Sequence, residues 1–542
     1  MKRIIKQTTA LLFTKQTTII SSALIIAVMI IVSKIFGFFR YRILAGYFSK
    51  EALDIYFASF RIPDLIFEIL ITGALISSFI PIYIRYQNNK EELSENISSI
   101  INVLTLAMFA LIFILFAFMD PIMRFITPGF SNDKVDTIVL FSRILLIGQL
   151  PLLIVGNFLT GIGQANKTFF LPALAPVIYS LAIIVGTVVF SSTIGLMAPI
   201  VGVIIGSIFF LLVQIPLFFS SSFRYQFVIK KTKGLVDFIK TIIPRAITIV
   251  VAQIDATIDL SLTSLLGAGS YTVFYLAQHL QLLPVSVVGI AFGQASLPYL
   301  SELYEQKKME EFKKIIVDSI LNLFFFSIPI MSYFIFARTP LVRLFFGGQK
   351  FDWDGTVLTA LTLSFFAISL PFHSIYYFLT RCFYSFHNTK TPFVISVIAI
   401  AINTILSLFF ILSLKMPVWS LSLSFSVAMI INVVILFFTL SKTIGGLDLF
   451  HLLFESLKMV GATFFASLFS YYFMRLFDGL VLNTSRTINV FFLLVAGFGV
   501  FLLFYLFIAW FIDIKEIYMV SKFLTKAKEY RRKFMEIYTS YE

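Results

Sequence analysis

From about residue 17 to about residue 512 the chain is a succession of apolar runs, each near or above the ~20 residues that a helix needs to cross the hydrocarbon of a bilayer. That length fixes the class of fold. Inside lipid every backbone N–H and C=O must find its partner within the protein, so runs of this kind fold as helices. About fourteen of them can be counted. Composition agrees, with 59% hydrophobic residues, 13% charged and a mean hydropathy of +0.96, where soluble domains carry about 25% charged residues. The expectation is an all-α polytopic membrane protein of about 14 transmembrane helices.

The chain resembles itself at an offset of about 220 residues. "FLTGIGQANKTFFLP" (158–172) lines up with "FLTRCFYSFHNTKTP" (378–392), so that Pro172 meets Pro392, and Pro81 near the end of helix 2 stands opposite Pro298 of helix 8 at a nearly equal spacing. Six helices per repeat is an even number, so both halves enter the membrane in the same direction. Two six-helix lobes related by a pseudo-twofold along the membrane normal are expected, plus a C-terminal helix pair outside the repeat. The divisions expected are an N-terminal surface helix at 1–16, an N-lobe at 17–222, a C-lobe at 223–445, helices 13 and 14 at 446–513 and a basic cytoplasmic tail at 514–542.

The net charge of +14 follows the membrane rather than a nucleic acid. With the N-terminus in the cytoplasm, most of the 42 Lys and Arg fall in cytoplasmic segments, as the positive-inside rule requires, and the C-terminus is cytoplasmic too. A single cysteine, Cys382, excludes an internal disulfide, and His373, His387 and His451 are scattered without metal spacing. The outer loops are short, and none gathers the acid cluster and metal site of a polytopic glycosyltransferase, so no enzyme is expected.

The charges inside the apolar runs carry the functional reading. "SKIFGFFRYRILAGYF" (33–48) holds Lys34, Arg40 and Arg42, and a charge at the centre of a membrane helix costs about 2.5 to 3.5 kcal/mol on insertion scales. A kink at Gly37 is expected to turn Lys34 and Arg40 toward a central cavity, with Arg42 snorkelling or pairing with Asp54. On an ideal helix Asp54, Arg61, Asp64 and Glu68 of helix 2 fall in one strip, which faces a wet cavity or another protein surface, or closes on itself as a packing network. Helix 7 carries Asp255 and Asp259 one turn apart, which suits a Na⁺ or proton site or simply accepts hydrogen bonds from neighbouring helices. Helix 8 carries His279. Fixed cations in a low-dielectric chamber attract an anion of limited size, and phosphate or pyrophosphate is the commonest such group.

"VSKIFGFFRYRILAGYF", "LDIYFASFRIPDLI", "GALISSFIPIY", "TPGF" (127–130), "LPALAPVIYS" (171–180), "GSYTVFYLAQHLQLLPVSVVGIAFGQASLPYLS" (269–301) and "RCFYSFHNTKTP" (381–392) together resemble the MurJ/MviN lipid II flippases of the multidrug/oligosaccharidyl-lipid/polysaccharide exporter superfamily. The resemblance covers helices 1 to 12 in order. It implies a fourteen-helix flippase of the bacterial cytoplasmic membrane that moves an undecaprenyl-pyrophosphate-linked peptidoglycan precursor outward by alternating access. It also implies that Lys34 and Arg40 match basic cavity residues, Asp54 an acid at the start of helix 2, Asp259 an acid of helix 7, and Asn403 a helix 11 ligand to a sodium site. Helices 13 and 14 match a pair that forms a groove for the lipid tail.

The chain departs from that pattern. Phe67 and Glu68 stand where many relatives have basic residues, Thr72 where they have an acid, and His279 where they have an arginine, with Arg61 and a protonated His279 compensating in part. The substrate-binding residues expected are therefore Lys34, Arg40, Asp54, Arg61, Glu68 and His279, and the ion-coupling residues Asp255, Asp259 and Asn403. No cofactor is expected beyond Na⁺ or H⁺ as coupling ion. The expected partners are the lipid-linked anionic precursor and membrane lipids, with no nucleic acid and a monomeric chain. An exporter of another polyprenyl-linked glycan, or a non-transporting membrane scaffold, is the alternative.

Overall fold

A computed structural model describes residues 19–69, 79–480 and 486–518. The expected surface helix at 1–16, Thr72 and all but the first residues of the basic tail lie outside the described residues. Among those described the chain is helical and holds no strand. In chain order the helices are α1 (Ile19–Tyr47), α2 (Lys50–Ser59), α3 (Arg61–Phe67), α4 (Ile80–Tyr86), α5 (Lys90–Ile126), α6 (Asn132–Gly148), α7 (Leu150–Ala165), α8 (Phe170–Ile194), α9 (Met197–Ser220), α10 (Lys233–Ser264), α11 (Ser270–Val285), α12 (Ala291–Glu305), α13 (Met309–Phe336), α14 (Arg338–Phe346), α15 (Trp353–Ser385), α16 (Lys390–Leu408), α17 (Trp419–Thr443), α18 (Leu449–Leu480) and α19 (Thr487–Phe511).

Among the described residues eleven helical stretches are long and apolar enough to cross a membrane. The remaining three expected spans are α1, the stretch from α2 to α4, and α10, which are the ones that carry most of the candidate charges. The count is consistent with fourteen.

Two compact units are present, one made of residues 1–273 with 345–355, the other of residues 274–344 with 356–542. Within the first, α8 and α9 cross at glycines. A Cβ at Gly186 would lie 2.6 Å from the Gly202 Cα, and one at Gly206 would lie 2.9 Å from the Tyr179 carbonyl oxygen. Gly202 and Gly206 are four apart, the spacing by which small residues let membrane helices approach backbone to backbone. The corresponding pair in the second unit, α16 and α17, uses serines instead, with Ser407 and Ser424 hydroxyls 2.6 Å apart. There α18 and α19 are fastened to α13 through polar atoms: Tyr333 donates to the Leu494 carbonyl at 2.8 Å, Tyr505 to the Phe325 carbonyl at 3.0 Å, and Ser332 meets Ser467 at 2.6 Å.

The 220-residue repeat is visible in the turns. Lys167 and His387 both sit in the left-handed region, at φ 62° and 59°, although neither is glycine. Each closes the same loop: the Thr168 N–H donates to the Gly163 carbonyl at 2.9 Å and the Asn388 N–H to the Phe383 carbonyl at 3.0 Å, so a helix ends in a wide turn whose last carbonyls are satisfied. A second pair follows at the same offset, Gly195 at φ 55° and Lys415 at φ 51°. Shared apolar composition does not impose matched left-handed residues; a repeated structural unit accounts for them.

Replacing Gly206 by Leu should force α8 and α9 apart and leave little folded protein, whereas Ser407→Ala should cost no more than about 1 kcal/mol. Thermal unfolding in detergent measures both, and equal tolerance of the two changes would contradict the packing described.

Candidate functional site

The polar side chains of the first unit are arranged by a break in helix 2. Pro63 has no N–H to offer the carbonyl four residues back, so the helix is interrupted at Phe60 and the Ser59 carbonyl takes its hydrogen bond from the Ser142 hydroxyl at 2.9 Å. The single strip expected from an ideal helix is therefore corrected. Asp54 stands on α2, and Arg61, Asp64 and Glu68 stand on or just after α3, in different surroundings.

Asp54 is fully buried and accepts from the Gly269 N–H at 2.6 Å, the Thr272 N–H at 2.9 Å and the Thr272 hydroxyl at 2.9 Å. It caps the first turn of α11, where unsatisfied N–H groups favour a carboxylate. Its partners are backbone and threonine, so the alternative of a pair with Arg42 is not realised. One turn earlier Lys50, only 9% exposed, binds Asp352 at 2.9 Å and Asp354 at 3.0 Å, and its carbonyl accepts from the Thr272 hydroxyl at 2.8 Å. This clasp was not anticipated from the sequence, although the two acids of "FDWD" (351–354) were there to be matched with a cation.

Arg61 spans from α3 to α10. Its Nη2 donates to the Gln253 carbonyl and to Gln253 Oε1, both at 2.6 Å, and its Nε to the Thr257 hydroxyl at 3.0 Å. Gln253 in turn donates from Nε2 to Glu68. The amide thus accepts from the cation and donates to the anion, which fixes its orientation. Asp64 is exposed, within electrostatic reach of Arg61, Glu68 and Arg40. Asp259 is 3% exposed and feels Asp255 and Arg61; Asp255 is half-buried.

Helix α1 runs unbroken through Gly37, and a Cβ there would meet nothing within 4 Å. Lys34 and Arg40 reach polar surroundings without a break. Lys34 is exposed and lines a crevice of about 340 Å³ together with Ser33, Gln164 and Pro172, so the first of the two repeated turns forms its far wall. Arg40 is half-buried, with its guanidinium 4.8 Å from the centre of the Tyr41 ring and within reach of Tyr56, Tyr179 and Asp64. The first unit therefore gathers Arg40, Arg61, Asp64, Glu68, Asp255 and Asp259 with a set of tyrosine hydroxyls. Lys34 occupies a crevice of its own, and Asp54 is occupied as a cap. In the second unit His279 is half-buried, its ring centre 4.0 Å from that of Tyr275 and tilted by 33°, with Nδ1 2.9 Å from the Tyr275 carbonyl, while Asn403 is buried at 3% exposure.

Comparison with known proteins gives this arrangement its family. The model described as "Lipid II flippase MurJ" matches residues 44–492. The chain belongs to the lipid II flippase MurJ family. It is 30% identical to the lipid II flippase MurJ of Thermosipho africanus over 82% of this chain and 90% of that one, and 26% identical to the probable lipid II flippase MurJ of Borreliella burgdorferi over 89% and 95%. Among solved structures it superposes on a lipid II flippase MurJ in an inward closed conformation with a TM-score of 0.74 and 27% identity, covering 90% of this chain and all of the other. A multidrug resistance MATE family transporter of the MOP superfamily in an inward-facing conformation, at 13% identity and a TM-score of 0.65, shares the fold. The family places the chain among multi-pass proteins of the bacterial inner membrane.

The Lys50 clasp has a defined pH window. Burial alone would lower Lys50, but the two carboxylates outweigh it and hold the ammonium above its ordinary value; burial alone would raise Asp352, but Lys50 and the Gly355 N–H hold it below the usual carboxylate range. The pair therefore stabilises the fold from about pH 4 to about pH 10. Its contribution is lost as pH falls through the depressed value of Asp352 or rises through the elevated value of Lys50. Urea titration of the wild type against Lys50→Met should show a gap of about 1 kcal/mol at neutral pH that closes on acidification, and a gap indifferent to acid would contradict the assignment.

Proposed function

We propose that this chain translocates lipid II, the polyprenyl-pyrophosphate-linked peptidoglycan precursor, across the cytoplasmic membrane by alternating access. A pyrophosphate cannot cross hydrocarbon unaided, because moving its charges from water to a medium of low dielectric costs far more than a few kcal/mol. A flippase must hold it against fixed cations in a wet path while the polyprenyl chain remains in lipid. The observation that carries this reading is Lys34, an exposed ammonium on a membrane helix whose neighbours bound a crevice rather than closing it. Arg40, on the same helix and beside tyrosine hydroxyls, is the second cation of the binding surface. Arg61, with three bonds already made to α10, holds the site in shape. The polyprenyl chain lies along α18 and α19, where Leu457, Phe464 and Leu503 are all well exposed.

Energy comes from a cation, Na⁺ or H⁺, taken up at the Asp255 and Asp259 pair, and Asn403 is the ion-coupling residue proposed for the second unit. The buried position of Asp259 beside a second carboxylate favours a shared proton or an oxygen-liganded ion. The protein acts as a monomeric transporter without a catalytic centre, with both termini in the cytoplasm.

Two experiments test these readings. In a bacterium depleted of its own lipid II flippase, the wild-type chain should restore growth and Lys34→Ala with Arg40→Ala should not, while both proteins reach the membrane in equal amount; growth supported by the double variant would contradict the cationic site. In proteoliposomes, precursor movement should depend on a Na⁺ or H⁺ gradient and lose that dependence in Asp259→Asn or Asn403→Ala. Dependence that survives both changes would contradict the ion site.

A further inference from the structure

The connector between α9 and α10, residues 221–232, forms neither helix nor strand, and side chains of α5 hold it in place. The Ser94 hydroxyl accepts from the Arg224 N–H at 3.1 Å and the Ser98 hydroxyl from the Gln226 N–H at 2.9 Å. Asn102 ends the row. It donates from Nδ2 to the Gln226 and Val228 carbonyls at 3.1 and 3.0 Å and accepts from the Tyr225 hydroxyl at 2.6 Å. Four residues of helix rise about 6 Å and two residues of extended chain advance about 6 to 7 Å, so one polar side chain per turn of α5 serves every second residue of the connector. Ser94, Ser98 and Asn102 are all buried.

The row runs toward lipid. From Ser94 to Asn102 the axis of α5 advances about 12 Å, in the direction of Leu106 and Phe109, which are 61% and 53% exposed and begin the apolar band of that helix. The chain then comes back, because the Gly234 N–H donates to Asn96 Oδ1 at 2.9 Å, near the start of the row. At the far end of this dip the Val228 N–H bonds the Gln226 carbonyl at 2.9 Å, a tight turn with Phe227 at its corner. Phe227 is 83% exposed and Ile229, two residues on, 56%. Residues 221–233 also hold Arg224, Lys230, Lys231 and Lys233 and no acid. Glu95 of α5 answers Lys230 at 3.0 Å, and Arg224, Lys231 and Lys233 are exposed.

We infer that this dip docks on anionic phospholipid, with Phe227 and Ile229 entering the boundary of the hydrocarbon and Arg224, Lys231 and Lys233 meeting the headgroup phosphates. An aromatic ring seats well at headgroup depth, and cations beside it are drawn to a negatively charged leaflet. Neither feature alone would suffice: the apolar corner supplies depth and the cations supply the preference for anionic lipid. The Ser94, Ser98 and Asn102 row supplies the third requirement, a connector already fixed in shape, so that little order remains to be imposed on docking. The inference rests on the cytoplasmic placement of the termini proposed above, which sets this connector against the inner leaflet.

The test places a nitroxide on Phe227→Cys, in the full chain with Cys382→Ala, and reconstitutes it in nanodiscs of phosphatidylcholine with or without a share of phosphatidylglycerol. Power saturation then compares collisions with oxygen, which dissolves in lipid, and with a water-soluble nickel complex. The ratio of oxygen to nickel accessibility should rise at least about twofold when phosphatidylglycerol is present, and Arg224→Glu with Lys231→Glu should erase that rise. Positions 224, 227 and 231 are all exposed, so the changes there spare the packing. A label open to nickel in both lipids, a ratio that phosphatidylglycerol does not change, or a label shielded from both reagents by another part of the protein would overturn the inference. Nanodiscs present the same lipids on both faces and require no transport, so such a failure falls on the docking and leaves orientation and cargo untouched.

Discussion

A charge on a membrane helix must be answered by protein or by water, and in this chain three helical stretches carry charges that lipid would not accept. The answer is mutual. Arg61 on α3 is bound by Gln253 and Thr257 of α10, and Gln253 passes the interaction on to Glu68. Arg40 on α1 lies among tyrosines and within reach of Asp64. Breaking one side of such a set leaves the other as a half-buried polar group short of a partner, a cost that the intact set avoids. The polar interior of the first unit therefore holds together as a set, and Lys34 differs in facing a crevice instead of a countercharge.

The break at Pro63 divides two tasks that a straight helix would have confused. The α2 segment is spent on architecture, with Asp54 capping α11 and Lys50 clasping Asp352 and Asp354. The α3 segment and the residues just after it supply the polar interior. A sequence reading based on 100° per residue placed Asp54 with the functional set because it had no means of seeing that the helix restarts at Arg61. Proline in the run was the available signal, since it removes one hydrogen bond and crowds the carbonyl four residues earlier.

Other features were legible because they are local or periodic. The number and order of spans follow from run length, and the duplication from two short alignments, which the left-handed turns at Lys167 and His387 and at Gly195 and Lys415 bear out in backbone geometry. Lys34 and Arg40 stood out because charge is rare in apolar runs. What could not be read were the contacts between residues far apart in sequence, such as Lys50 with Asp352 or Arg61 with Gln253, since many pairings satisfy the same charges equally well. The family relationship carries the cargo; the residues themselves show cations on α1 that lipid would not accept, one of them lining a crevice.

The central claim is that the cationic side of α1 meets water and is covered when the precursor binds. Cys382 is the single cysteine of the chain and is buried, so a Cys382→Ala background gives a clean surface on which to place one cysteine at a time. With cysteine in place of Ser33 or Gln164, which line the crevice beside Lys34, a charged thiol reagent that does not cross lipid should label the protein in membranes, and added lipid II should slow that labelling at both positions while leaving an exposed position on α18 such as Phe464 unreactive throughout. Absence of labelling at 33 and 164, or labelling that lipid II does not change, would contradict the account.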